Sequence, residues 1–93
     1  MARAYCFKDH RYVLAGTIVP SEVVDQVHVD MRQRPFRVKD VVEYCAAAMR
    51  AYGGPVSAAQ MLAERIARDC RTAGWLEESH KEGRFTAYKW RET

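Results

Sequence analysis

The sequence predicts a small, mostly α-helical domain that ends in a β-hairpin. Two stretches, 38–52 and 57–73, place their apolar residues on one side of a helix, and a Gly-Gly-Pro break separates them. After the second stretch, two β-prone runs within 76–90 flank a Glu-Gly pair, a pattern typical of a tight hairpin. Because 93 residues suffice for one core but not for two, we expect a single domain over 1–93.

The composition is that of an ordinary globular chain. Apolar residues make up 48% and charged residues 29%, which gives no sign of a disordered tail. Apolar runs are too short to span a membrane, and the charged run 8–11 lies where a signal peptide needs apolar residues. We therefore expect a cytoplasmic protein without membrane contact. The net charge of +3 permits nucleic-acid binding without requiring it.

Catalytic and metal-binding motifs are weak. Cys45 and Cys70 lie on the apolar stripes, where a thiol acts as a small hydrophobe, and with Cys6 they are expected to be reduced. Cys6 and His10 have a spacing seen in zinc sites, but the sequence offers no second such pair. Phosphate-loop, zinc-protease and serine-hydrolase motifs are missing. The sequence thus predicts neither an enzyme nor a cofactor or metal site.

The chain divides into three segments. Residues 1–19 are aromatic and β-prone, which predicts an extended arm or strand packed on the main body. Residues 20–34 predict an accessory helix over 22–32, which begins after a Pro-Ser pair and ends before Pro35. The main module is expected over 35–91.

The stretch 57–73 leaves two alternatives open. Its apolar stripe has no breaker, which suits one long helix. Two short helices joined by a turn would need a bend near 62–65, although Ala63 and Glu64 favour helix. We favour two short helices, because a single helix would leave no element to cross the helix 38–52.

A few aromatic and apolar side chains are expected to close the core. Ile66 and Cys70 lie on the inner side of the second helical stretch, and Trp75 follows its glycine exit. In the second hairpin strand, Tyr88 and Trp90 share one face, because side chains alternate along a strand. We expect these two rings to cover the helical core.

The segment 36–90 resembles winged helix-turn-helix DNA-binding domains. The resemblance covers more than half of the chain and rests on individually loose motifs in the right order, which are Phe36-x-Val38-x-Asp40-Val41, Pro55-Val56-Ser57, Ala73-Gly74-Trp75-Leu76 and Tyr88-x-Trp90. It implies a winged helix-turn-helix fold with an extra N-terminal strand and helix. Such domains are common among bacterial and phage regulators, so it also implies a regulator or accessory factor that binds double-stranded DNA.

The resemblance also implies which residues contact DNA. In that family the last helix before the hairpin enters the major groove, and the hairpin, or wing, contacts the backbone or minor groove. Transferred to this sequence, these elements are the helix 64–73 and the wing 80–85. The implied DNA-binding side chains are Arg65, Arg68, Arg71, Thr72, Lys81 and Arg84.

Two alternatives to these contacts stay open. The arginines of 64–73 could form a solvated face with local ion pairs to Glu64 and Asp69, and the wing tip could be a solvated turn. The cluster Arg32, Arg34 and Arg37 could line the DNA backbone or form a solvated linker.

The alternative function is protein–protein interaction by the same fold. Residues 57–93 carry seven Lys or Arg against six Asp or Glu, a nearly neutral balance. The N-terminal aromatics Tyr5, Phe7 and Tyr12 are then candidates for the surface that binds a second copy or a protein partner.

Overall fold

The computed structural model describes residues 12–14 and 16–91 of the chain. In these residues three helices are accompanied by two small antiparallel hairpins, so the expected mostly helical fold with a C-terminal hairpin is confirmed. In chain order the elements are β1 (Val13–Leu14), β2 (Thr17–Ile18), α1 (Ser21–Gln33), α2 (Val38–Tyr52), a 3₁₀ turn (Val56–Ala58), α3 (Ala59–Thr72), β3 (Leu76–Glu82) and β4 (Phe85–Trp90). The candidate zinc pair Cys6 and His10 lies outside the described residues.

Local sequence signals explain where α2 begins and ends. At its start, the backbone N–H of Arg37 donates to the Asp40 carboxylate over 2.9 Å, so a free donor at the helix end is satisfied. At its end, Gly53 adopts φ 109°, which a residue with a side chain rarely tolerates, and its N–H donates to the Met49 carbonyl over 2.7 Å. These two ends agree with the prediction for 38–52.

The preference for two short helices within 57–73 is wrong. A 3₁₀ turn leads directly into α3, which runs unbroken through 62–65. Leu62, Ala63 and Ile66 are completely buried on one continuous face, and no residue there favours a bend. The partner that α3 needs is α2, which packs against both α1 and α3.

The three helices share one core. Buried residues of α1 join the same cluster as those of α2 and α3, and Tyr12 and Leu14 of the N-terminal segment also belong to it. Ile66 and Cys70 are fully buried, as predicted. The predicted aromatic cover is confirmed as well, because the partly buried rings of Tyr88 and Trp90 pack against the cluster. Trp75, predicted to lie in the core, packs against it and is only partly buried.

Both described cysteines are buried in this core, and neither is in a disulfide. Burial raises the pKa of the Cys45 thiol to about 12. Burial, with a smaller contribution from Asp69, raises the pKa of Cys70 as well. Both side chains are therefore neutral thiols at physiological pH and pack as small hydrophobes.

Backbone pairing connects the second hairpin to the start of α2. Phe36 and Tyr88 exchange two N–H···O=C bonds of 2.8 Å each, an isolated antiparallel bridge outside the named strands. Within the hairpin, the register shifts between Glu78 and His80, so β3 carries a bulge. The bridge places the start of α2 beside β4.

Among the described helices, none combines the length and the apolar character that crossing a bilayer requires.

Candidate nucleic-acid interface

One side of α3 faces solvent along its whole length. Met61, Glu64, Arg68 and Arg71 are exposed and recur every three or four residues, which places them on one face of the helix. The opposite face carries the buried residues of the core. This exposed stripe presents two guanidinium groups and one carboxylate to solvent.

A groove of about 460 Å³ opens where the start of α2, the end of α3 and β4 meet. We call it the basic groove, and it is lined by Arg37, Val38, Lys39, Arg71, Arg84, Phe85, Thr86 and Tyr88. Half of these lining residues are cations, and none of the eight is acidic. Arg71 belongs both to the groove and to the exposed stripe, so the two surfaces are continuous.

Two of the groove arginines are held beside aromatic rings of β4. The guanidinium carbon of Arg37 is 5.2 Å from the Phe85 ring centroid, and that of Arg71 is 5.7 Å from the Tyr88 ring centroid. Arg71 Nη1 also donates to the Tyr88 hydroxyl over 3.4 Å. These contacts fix the approximate position of both charges before any ligand binds.

Glu82 brings a negative charge to the rim of the groove. Its carboxylate lies 3.3 Å from Arg37 Nε and 2.8 Å from His80 Nε2. All three side chains remain partly exposed, so the Arg37–Glu82 ion pair is screened and contributes little to stability. Its main effect is to hold Arg37 near the turn between the two strands of the second hairpin.

The flank of α3 that lies away from the basic groove contacts the N-terminal hairpin, which β1 and β2 form. Arg65 Nη1 donates to the Val13 carbonyl over 3.3 Å, and the Tyr12 hydroxyl donates to Asp69 Oδ2 over 2.7 Å. Burial, together with the bond to Asp69, raises the pKa of Tyr12, so its hydroxyl stays protonated. We call these four residues the hairpin flank.

The structure distributes the six predicted DNA-binding residues over three places. Arg71 and Arg84 line the basic groove, and Lys81 reaches its edge, where Nζ donates to Thr86 Oγ1 over 3.0 Å. Arg68 and Thr72 are exposed on α3. Arg65 lies on the hairpin flank.

Sequence reasoning missed part of the basic groove. It left Arg37 as an alternative and passed over Lys39, although the two cations bracket the first residue of α2. It placed Tyr88 against the core, but this ring also lines the groove, together with Phe85. The useful signal was the Arg-Val-Lys start of α2, because side chains at a helix start project beside its free N–H groups.

Comparison with known proteins finds no relative, since no family model, curated protein or solved structure matches the chain. A functional assignment therefore depends on the side chains of the exposed stripe and the basic groove.

Proposed function

We propose that the protein binds double-stranded DNA as a winged helix-turn-helix module. In this proposal α2 and α3 form the helix pair, and the β3–β4 hairpin is the wing. The observation that carries it is the basic groove, because four cations from three separate elements converge there beside the exposed side of α3. Such convergence suits a phosphate backbone, which presents regularly spaced negative charges.

The proposal divides the contacts into two kinds. Arg37, Lys39 and Arg84 bind phosphates, which position the protein on the duplex without reading sequence. Arg68 and Thr72 on the exposed side of α3 face the base edges of the major groove. Arg71 connects the two sets, and Arg65 is assigned to the hairpin flank instead.

The charge balance limits how strongly one copy can bind. Glu64 lies on the exposed stripe and Glu82 on the groove rim, so both weaken the local field. A single module of this size also covers a modest stretch of DNA. We therefore propose a bacterial or phage regulator or accessory factor that works as a dimer or beside a partner protein.

A salt titration tests the proposal. Fluorescence anisotropy with a mixed-sequence duplex should show log affinity falling linearly with log salt concentration. Arg68→Ala should weaken binding, because a contact to base edges in the major groove is lost. The matched control is Arg50→Ala, which removes an exposed arginine from the last turn of α2.

Two results would contradict the proposed duplex interface. One is the absence of salt-dependent binding by the wild-type protein at micromolar concentration. The other is an equal loss of affinity in Arg68→Ala and Arg50→Ala, since this would mean that only overall charge matters.

Protein–protein interaction is the second candidate, and one observation favours it. Val13 and Ile18 are exposed cross-strand partners of the N-terminal hairpin, so they form a small apolar surface. Tyr12 cannot belong to that surface because it is buried, and Tyr5 and Phe7 lie outside the described residues. This function predicts a concentration-dependent dimer by sedimentation, which the double variant Val13→Ser, Ile18→Ser would lack, together with no DNA binding by the wild type.

A further inference from the structure

The basic groove contains a largely exposed aromatic side chain, which positions Arg37 but offers phosphate oxygens no polar hydrogen. Phe85 is 57% exposed, although it lines a groove and has a guanidinium 5.2 Å from its ring centroid. Phosphate oxygens are bound by charged and polar groups, whereas an exposed ring gains most by stacking on another flat ring. The groove therefore offers a surface for a base as well as for a phosphate.

The arrangement of charges around Phe85 fits the backbone of a nucleotide. Arg84 precedes it in the turn, and Arg37 is held near the ring by Glu82. Arg71 closes the groove from α3, beside Tyr88. Aromatic rings interleaved with cations are the combination by which proteins bind unpaired nucleic-acid strands.

The groove also has a suitable size and opening for one nucleotide. Its volume of about 460 Å³ lies within the range of roughly 300–1,000 Å³ that is usual for small-molecule sites. A paired base in a duplex shows its edge to the grooves, and its faces are covered by the neighbouring pairs. Only a base that is unpaired or has left the stack can lie against Phe85.

We propose that the basic groove binds an unpaired nucleotide, with its base stacked on Phe85 and its phosphates held by Arg37, Arg71 and Arg84. The preferred DNA is then a duplex that borders a single-stranded segment. This proposal rests on the proposed duplex binding, through which α3 supplies the remaining contacts. The ring beside the cations favours a nucleotide over other anions, because the lining residues present four cations and an exposed aromatic face, and the Glu82 carboxylate lies only at the rim.

The experiment compares three DNA molecules that share one duplex. The first has blunt ends, the second carries a three-nucleotide overhang, and the third carries the same overhang as abasic sites. The wild-type protein should bind the normal overhang about tenfold more tightly than the blunt duplex, which corresponds to one base–aromatic stack. The abasic overhang has the same phosphates without bases, so it should bind clearly more weakly than the normal overhang.

Variants then test whether the gain depends on Phe85. Phe85→Leu should lose the tenfold gain, measured as the ratio of its own affinities for the overhang and the blunt duplex, whereas Phe85→Tyr should keep the gain because it keeps a ring. The matched control is Tyr52→Leu, since Tyr52 is 51% exposed and lies outside the groove, at the end of α2. Equal thermal midpoints by circular dichroism confirm that the variants fold alike.

Three results would overturn the nucleotide site. The abasic overhang could bind as tightly as the normal one, Phe85→Leu could keep the gain, or a polyglutamate peptide could displace the overhang DNA as effectively as an equal charge of oligonucleotide. In each case, blunt-duplex binding that persists leaves the proposed function intact. The absence of salt-dependent binding to the blunt duplex is a separate result, and it overturns the proposed function.

Discussion

Two arginines of the same helix have different roles in this molecule. Arg65 and Arg71 both lie outside the apolar stripe of α3, yet Arg65 bonds to the Val13 carbonyl and Arg71 lies beside Tyr88 in the basic groove. The helical pattern alone treats them as equivalent. The two arginines differ because of the neighbouring elements. The first contacts β1 on one flank of α3, and the second contacts β4 on the other flank. A guanidinium that already bonds to a backbone carbonyl is less available to a ligand than one that lines an open groove.

The largest expected effect concerns the hydrophobic core, which supports both flanks of α3. Ile66 lies on the inner face of α3 and is completely buried. Ile66→Ala should lower the free energy of unfolding by roughly 2–5 kcal/mol, because the truncation leaves a cavity in the core that supports both flanks. Urea denaturation measures the loss. Met61→Ala on the exposed stripe should change stability by less than about 0.5 kcal/mol, and an equal loss in both variants would mean that the helix is oriented differently.

Acidification should lower the free energy of unfolding of the whole fold, and with it the stability of both flanks, through His28. This imidazole lies against the inner face of α3. Its Nε2 is 4.0 Å from Cys70 Sγ, and its ring centroid is 5.6 Å from that of Trp90. Burial, aided by the charge of Arg32, lowers its pKa to about 4 from the usual 6.5.

The direction of the pH effect follows from this lowered pKa. Between pH 6.5 and about 4 the unfolded chain binds a proton that the folded protein excludes. The free energy of unfolding therefore decreases as the pH is lowered through this window. We expect a loss of about 2 kcal/mol between pH 7 and pH 5. Thermal unfolding across this range measures it, and His28→Phe should flatten the dependence. An unchanged slope in that variant would assign the acid sensitivity to other groups.

Removal of one hydroxyl should weaken the hairpin flank alone. Tyr12→Phe deletes the 2.7 Å bond to Asp69 and leaves the carboxylate without that donor. The expected cost is about 1.5 kcal/mol of unfolding free energy, as for a partly buried hydrogen bond to a charged group. Tyr52→Phe is the control, because its ring is exposed. DNA affinity of folded Tyr12→Phe should stay at the wild-type value, and a clear loss would mean that the hairpin flank takes part in binding.

The smallest expected effect compares the two arginines directly. Arg71→Ala should reduce the slope of log affinity against log salt by about one unit, because one phosphate contact is lost. Arg65→Ala should leave that slope unchanged and cost only a few tenths of a kcal/mol in stability, the usual value for an exposed contact. Anisotropy titrations at four or more salt concentrations would measure both. Equal slopes for the two variants would remove the proposed distinction between the flanks.

The sequence predicted the three helical regions and the C-terminal hairpin because their signals are local. The apolar stripes fix the inner faces, and Gly53 with its neighbours fixes the end of α2, so the predicted and observed bounds of that helix agree. The expected bend near 62–65 was wrong. It was inferred from the need for an element that crosses the helix 38–52, whereas the residues present there favour one unbroken helix.

The basic groove was beyond such local signals. Arg37 and Lys39 are far from Arg71 and Arg84 in the sequence, and they meet because Phe36 pairs with Tyr88 across the fold. Nothing in the residues around Phe36 indicates which strand it will pair with. The pattern of α3 likewise cannot show that the N-terminal hairpin bonds to Arg65. Both features depend on contacts between distant segments, which periodicity does not encode.

The bulge in β3 affects how the β3–β4 hairpin meets other molecules. In the described residues β3 pairs with β4 and with no other strand, so the backbone N–H and C=O groups along its other edge have no strand partner. Open edges of this kind template aggregation unless charge or irregular geometry blocks them. Here the register shift after Glu78 breaks the regular edge, and most side chains of β3 are charged and exposed. The charges and the bulge together therefore protect this edge of the β3–β4 hairpin from pairing with strands of neighbouring molecules.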